Sequence, residues 1–284
     1  LAAGFILRKK EIFSQEGKQN LTELILDLVL PASIIRSFEQ QKSPEMLFQF
    51  SEIFIVGLAV VSSCVLLSRI IFRNIPDARK KILQYGFFCP NAGLFGSSIL
   101  NELFGATALS YGAVYLIPLR IVMWSFGIAL FTSEKDHKLM IRRTVTHPCV
   151  IATVFGLGLM LFGLSLPAEA DNALEFLGSS CTALSMLVIG MALADADFRH
   201  ILEPQVILIT ILRLAVIPGA TYLVCRLCSV NPLVTGISVL LTAMPVGSTT
   251  VMLAMKYQSA PAFATKCVVL STLCSMLSTP LWSM

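Results

Sequence analysis

Ten apolar stretches, most of them long enough to cross a lipid bilayer, limit what this chain can fold into. They lie near residues 1–7, 20–38, 50–72, 82–101, 107–131, 148–166, 173–193, 203–225, 233–254 and 263–284. A run of ~18 or more apolar residues spans the hydrocarbon as a helix, and so many runs exceed the core of any soluble domain. Charge agrees, because only 13% of the 284 residues are Asp, Glu, Lys or Arg, roughly half the usual share in soluble domains. Mean hydropathy is +0.80. The expected fold class is all-α: an integral membrane protein of ten transmembrane helices. The first is expected to be truncated, since the chain opens on a short apolar tail, "LAAGFILRKK".

The connectors set the orientation. One set carries Arg8, Lys9, Lys10 and Lys18; Arg69, Arg73, Arg79, Lys80 and Lys81; Lys135, Lys138, Arg142 and Arg143; Arg199; and Lys256 and Lys266. The alternate set holds Lys42 and Arg226, with Arg36 close by, and acids such as Glu39, Glu45, Glu102, Glu169 and Asp171. Near Arg199, Asp195 and Asp197 weaken the contrast, but acids count little in the positive-inside rule. The first set is therefore expected in the cytoplasm, with both termini outside, in a multi-pass protein of the cell membrane. Positive charge gathered in connectors, not on one face, disfavours nucleic acid as a partner. The eight cysteines fall almost entirely in apolar segments without metal-ligand spacing, so they read as small buried residues.

An internal repeat narrows the class. Pro90 in the fourth stretch and Pro245 in the ninth are 155 positions apart. The same shift carries the second stretch onto the seventh, the third onto the eighth and the fifth onto the tenth. Five helices per unit is an odd number, so the units must insert in opposite senses. The expected organisation is a first repeat over 1–132, a cytoplasmic linker over 133–147 and an inverted second repeat over 148–284. Inverted repeats of this kind mark secondary transporters.

Both corresponding stretches are interrupted. "FFCPNAGLFG" (87–96) places Pro90, Asn91, Gly93 and Gly96 inside a span, and "TAMPVGSTTVMLA" (242–254) does the same with Pro245, Gly247, Ser248, Thr249 and Thr250. Proline removes a backbone bond and adds a clash. Hydrocarbon offers freed groups no water, so such a break survives only when buried in protein or lining a cavity. Each break has about ten residues on either side, which puts it near the bilayer midplane at ~1.5 Å per residue. A new half-helix starts after each proline, and its unpaired amides favour an anion. Pro90, Asn91, Gly93, Pro245, Gly247, Ser248 and Thr249 are the expected substrate site. A pair of structural kinks is the plainer alternative.

Several stretches resemble the auxin efflux carrier family, in its bacterial type. "PNAGLFGSSILNELFG" (90–105) is similar to that family's fourth helix, "IPLRIVMWSFGIALF" (117–131) to its fifth and "RLAVIP" (213–218) to its eighth. "AMPVGSTTVMLAMKYQ" (243–258) and "VVLSTLCSMLSTPLW" (268–282) resemble its last two. The resemblance implies ten helices, the fourth and ninth crossing at their breaks. It implies that the domain holding them moves, elevator fashion, against a scaffold of helices one, two, six and seven. It also implies export of an auxin-like acid or of malate, malonate and related anions, with binding at Pro90, Asn91, Pro245, Gly247, Ser248 and Thr249. Distant relatives that cotransport sodium with bile acids share the architecture, but no cluster of acids accompanies these breaks.

Three ionisable residues fall inside spans, where an unpaired charge costs ~2.5–3.5 kcal/mol or more: Asp27, Arg120 and Arg213. Asp27 suits proton coupling or an ion pair with an arginine. Arg120 suits an anionic substrate, Asp27 or a carbonyl end; Arg213 suits a tie to a helix terminus. Glu52, Glu102 and Glu175 sit at span ends. His137, His147 and His200 fall in connectors without nucleophile, acid or zinc-binding spacing, so an enzyme is not expected, nor a resident cofactor. The sequence therefore points to a secondary active carrier for a small organic anion such as a mono- or dicarboxylate. A passive channel or facilitative uniporter on the same scaffold is the alternative. The coupling ion, H+ or Na+, and the oligomeric state, monomer or homodimer, stay open.

Overall fold

In the computed structural model, residues 2–39, 51–132, 145–194 and 201–283 are described. The connector residues Lys42, Glu45, Lys135, Lys138, Arg142, Arg143, Asp195, Asp197, Arg199, His137 and His200 lie outside them, as do the side chains of Glu39 and Glu102. The described residues are mostly helical and hold no strand, apart from one isolated bridge.

Eleven helices follow in chain order among the described residues. Helix α1 is Ala2–Lys9, and α2 runs over 15–39 with a π-turn at Ile25–Val29. Then come α3 (Ser51–Ile71), α4 (Asp77–Phe88) and α5 over 92–131, which has π-turns at Ala92–Gly96 and Met123–Gly127. Next are α6 (Pro148–Phe162), α7 (Ala168–Ala194) and α8 over 204–227, with a π-turn at Leu212–Val216. The last are α9 (Pro232–Thr242), α10 (Thr249–Lys256) and α11 (Pro261–Trp282).

Among the described residues, five stretches are long and apolar enough to cross a membrane: Ser51–Ile71, Val114–Phe131, Ala168–Met191, Pro204–Leu227 and Pro261–Trp282. Their outer faces keep large apolar side chains in the open. Phe176, Leu227 and Leu277 are each more than three-quarters exposed. Apolar surface of this extent calls for a non-aqueous neighbour. The molecule is a membrane protein.

The largest departure from the expected helix bounds is at one connector. A connector is expected between 101 and 107, yet the helix continues unbroken from 92 to 131. The segment "NELFGA" contains no proline, and a single glycine costs a helix only about 1 kcal/mol, so nothing local stops it. Elsewhere the local chemistry sets the ends. Prolines open α6, α8, α9 and α11, where a missing N–H costs nothing. The Asn231 side chain caps α9 by accepting from the Leu233 amide.

The helices pack in two groups. One contains α1, α2, α6 and α7; the other contains α3, α4, α5, α8, α9, α10 and α11. Within the first, α1 crosses α7 so closely that a Cβ on Gly4 would stand 2.2 Å from the Leu187 carbonyl oxygen. Within the second, a charged knot ties the starts of three helices. Glu203, just before α8, accepts from Arg79 of α4 at 2.8 Å and from Lys266 of α11 at 2.7 Å. Arg79 also covers the Phe263 ring at 4.8 Å. Lys266 therefore belongs to a buried pair inside α11 and not to a solvated connector.

Hydrogen bonding from Lys266, aided by Arg79, holds the Glu203 carboxyl below its ordinary value of 4.5. A carboxylate with a lowered folded pKa stabilises the fold above its unfolded pKa and loses that contribution as pH falls through the folded value. Glu203→Gln should cost roughly 1–3 kcal/mol at pH 7. In detergent, its melting temperature should fall below that of the unmodified protein at pH 7, and the gap should close on acidification below ~4. An equal gap at both pH values would remove the ion pair from the account.

Candidate functional site

Pro90 has no amide to give, and it confines the residue before it to extended backbone. Cys89 obeys, with φ −108 and ψ 90, and α4 stops at Phe88. The matching stop at Thr242 ends α9 three residues before Pro245. The freed groups of each break then bond to the other. Pro90 and Val246 form an antiparallel bridge. The Asn91 amide donates to the Pro245 carbonyl at 2.8 Å, and the Gly247 amide donates to the Cys89 carbonyl at 2.9 Å. The Val246 amide goes to Ser271 Oγ on α11 at 3.1 Å.

Arg213, only 1% exposed, takes the carbonyls just upstream. Its Nη1 donates to Phe87 O at 2.9 Å, and its Nη2 donates to Thr242 O at 2.8 Å and Met244 O at 3.2 Å. Backbone groups buried away from water must be paired, and this arrangement pairs most of both breaks.

The close approach depends on glycine. A Cβ on Gly247 would meet Cys89 Sγ at 2.9 Å and the Cys89 carbonyl oxygen at 3.0 Å. On the other side, Gly93 is exposed and a Cβ there would meet nothing within 4 Å. Thr249 opens α10, its hydroxyl accepting from Tyr85 Oη at 3.2 Å and lying 3.3 Å from Cys89 Sγ. Ser248 is buried, Asn91 half-buried, and the Thr250 hydroxyl is buried without a partner among the described residues. Pro90, Asn91, Pro245, Gly247, Ser248 and Thr249 are thus brought together, with Gly93 one turn on. Two half-helices, α5 and α10, begin at this point.

Asp27 and Arg120 lie elsewhere. Asp27, in the π-turn of α2, accepts from Lys256 Nζ at the end of α10, which bridges the two packing groups. Its partner is thus a lysine, where an arginine was expected. His147 caps α6 through Nδ1, accepting from the Cys149 amide, and it stacks on Trp124. Burial pushes its pKa down to about 4; the Lys256 charge adds to this and Asp27 opposes it. Arg120 holds its guanidinium 5.7 Å from the centroid of Phe38 on α2, and its buried Nη1 has no partner among the described residues. Its neighbour Leu119 lines a small cavity together with Pro90.

Sequence reasoning missed Tyr85, Cys89, Lys256 and His147. Only Tyr85 and Cys89 left a trace, four residues apart on one helix face and directly before the proline.

A family profile described as "Membrane transport protein" matches residues 1–140 and 136–283. The chain belongs to that family, the auxin efflux carriers. It is 23% identical to the uncharacterized transporter YfdV of Escherichia coli K12 over 98% of this chain and 92% of the relative. It is 22% identical to an uncharacterized transporter of Methanothermobacter thermautotrophicus over 99% of this chain and 93% of the relative. Family and relatives agree with a transporter in the membrane. They agree also with a protein that is not an enzyme. Among the described residues, no three His, Cys, Asp or Glu side chains are grouped to hold a metal ion.

In this auxin efflux carrier family member, Gly247→Ala should separate the breaks, because a backbone oxygen blocks the new methyl. A loss of roughly 1–3 kcal/mol is expected, read as a lower melting temperature in detergent. Gly93→Ala, which enters open space, should leave the melting temperature almost unchanged. Equal effects at the two glycines would contradict the paired geometry.

Proposed function

We propose that the chain is a secondary active carrier of the efflux type for a small organic anion, a mono- or dicarboxylate or an auxin-like acid. Access would alternate around the paired breaks. The observation that carries the proposal is the reciprocal pair of backbone bonds, Asn91 to Pro245 and Gly247 to Cys89. It brings the starts of α5 and α10 to one place. A helix start carries about half a positive charge, and the helix ends that would oppose it are already occupied by Arg213. The field left at the break favours an anion. Arg120, whose buried Nη1 has no partner among the described residues, is in this reading the counter-charge for a carboxylate.

The two packing groups supply the motion. In this reading α1, α2, α6 and α7 form the scaffold, and the break-bearing group slides along it as an elevator. Residues 1–132 and 148–284 are the inverted repeats that make the two end states alike, and the cell membrane is their setting. Asp27 and Lys256 tie the two groups across the seam, so they hold one of those states. Whether H+ accompanies the anion through Asp27 is part of the same proposal.

Purified protein in liposomes should accumulate at least one labelled small carboxylate against its gradient when an ion gradient is imposed. Uptake that only equilibrates would instead favour the channel or uniporter. Asn91→Ala and Arg120→Gln should each lower uptake by about 10-fold or more, the worth of a hydrogen bond to a charged group, with melting temperatures nearly unchanged. Normal uptake in both variants would remove the break as the site.

A further inference from the structure

Arg213 is more than a buried charge that has found partners. Phe87 lies in the last turn of α4, Thr242 is the last residue of α9 and Met244 lies within the second break. A helix C-terminus carries about half a negative charge, so two converging ends present about one unit. One guanidinium matches it. No carboxylate lines the small cavity of about 10 Å³ beside it, whose walls include Arg213, Thr242, Pro90, Phe88, Cys64 and Tyr115. Among the described residues, the groups that accept from Arg213 are backbone oxygens.

The position is built into α8. Arg213 sits in the π-turn Leu212–Val216. Pro218 deprives the Leu214 carbonyl of its usual donor, and the Trp282 indole of α11 replaces it at 2.8 Å. In carriers with interrupted helices, unwound carbonyls and half-helix C-termini are the places where a coupling Na+ is held. Here the same kinds of oxygen are already taken by a side chain.

We propose that Arg213 is a tethered counter-cation, standing where a dissociable inorganic cation would otherwise neutralise the two converging helix ends. The proposal rests on the reading of the breaks as the carrier site and adds that no metal cation binds behind them. A cation fixed to α8 cannot leave or re-enter with the cargo. The charge that assembles the site is therefore constant through the cycle, and any ion coupling must run through another group.

Removing the side chain should leave the oxygens unmatched and open a space joined to the existing cavity. Arg213→Ala is purified in detergent, in choline chloride at constant ionic strength, and melted with added NaCl, guanidinium chloride or methylguanidinium chloride. Its melting temperature should fall by roughly 5–10 °C. About 10 mM guanidinium, well below denaturing levels, or Na+ should return at least half of the loss by binding the folded form. A variant as stable as the unmodified protein in choline alone, or a loss that neither cation reverses, overturns the proposal. Where Arg213→Ala yields no folded protein, Arg213→Lys and Arg213→Met decide. Lysine keeps the charge and should keep the fold, methionine should not, and equal stability overturns the proposal. None of these measurements needs a substrate, so their failure is separate from a failure of the uptake tests.

Discussion

A backbone amide or carbonyl that cannot reach water must be satisfied within the protein, and the rest of this structure follows from that demand. An uninterrupted helix meets it alone. A helix stopped by Pro90 or Pro245 cannot, and the solution is mutual: each break supplies the partners that the other lacks. Arg213 and Ser271 complete the accounting from two further helices. The same demand explains smaller features. The π-turns of α2 and α8 leave carbonyls at Leu26 and Leu214, which accept from the Cys149 thiol and the Trp282 indole. Each distortion has its donor on another helix, and this places α6 against α2 and α11 against α8.

Much of this was legible in the sequence because it is local. Long apolar runs give helices whatever their neighbours, and a proline in mid-span stops a helix at that point. The stops at Phe88 and Thr242 therefore fall where the residues put them. The residues of the candidate site were legible for the same reason, since they are the break. What was not legible depends on distant partners. Nothing in "KYQ" tells Lys256 that it will meet Asp27, 229 positions earlier. His147 reads as a connector residue until Trp124 is laid against it. Pro218 signals the orphan carbonyl at Leu214 in α8, but nothing local names the Trp282 indole that satisfies it. The continuous helix over 92–131 differs for the opposite reason: one acid and one glycine in "NELFGA" suggest a connector, but neither stops a helix.

Polar contacts hold each packing group together and also cross the seam between them. Within the break-bearing group, Glu203, Arg79 and Lys266 lock three helix starts together, and Glu52 accepts from the Asn231 amide to join α3 and α9. Within the other, Arg36 meets Glu175 at 2.8 Å. Across the seam, Asp27 pairs with Lys256 and the Arg120 guanidinium lies over the Phe38 ring.

The reciprocal pairing also has a consequence for biogenesis. Asn91 and Cys89 are made well before Pro245 and Gly247, so the early half must enter the lipid with an orphan donor and an orphan acceptor. It holds that debt until the late half threads in beside it. A chain that ended between the two breaks would leave the Asn91 amide and the Cys89 carbonyl without the partners that they have here.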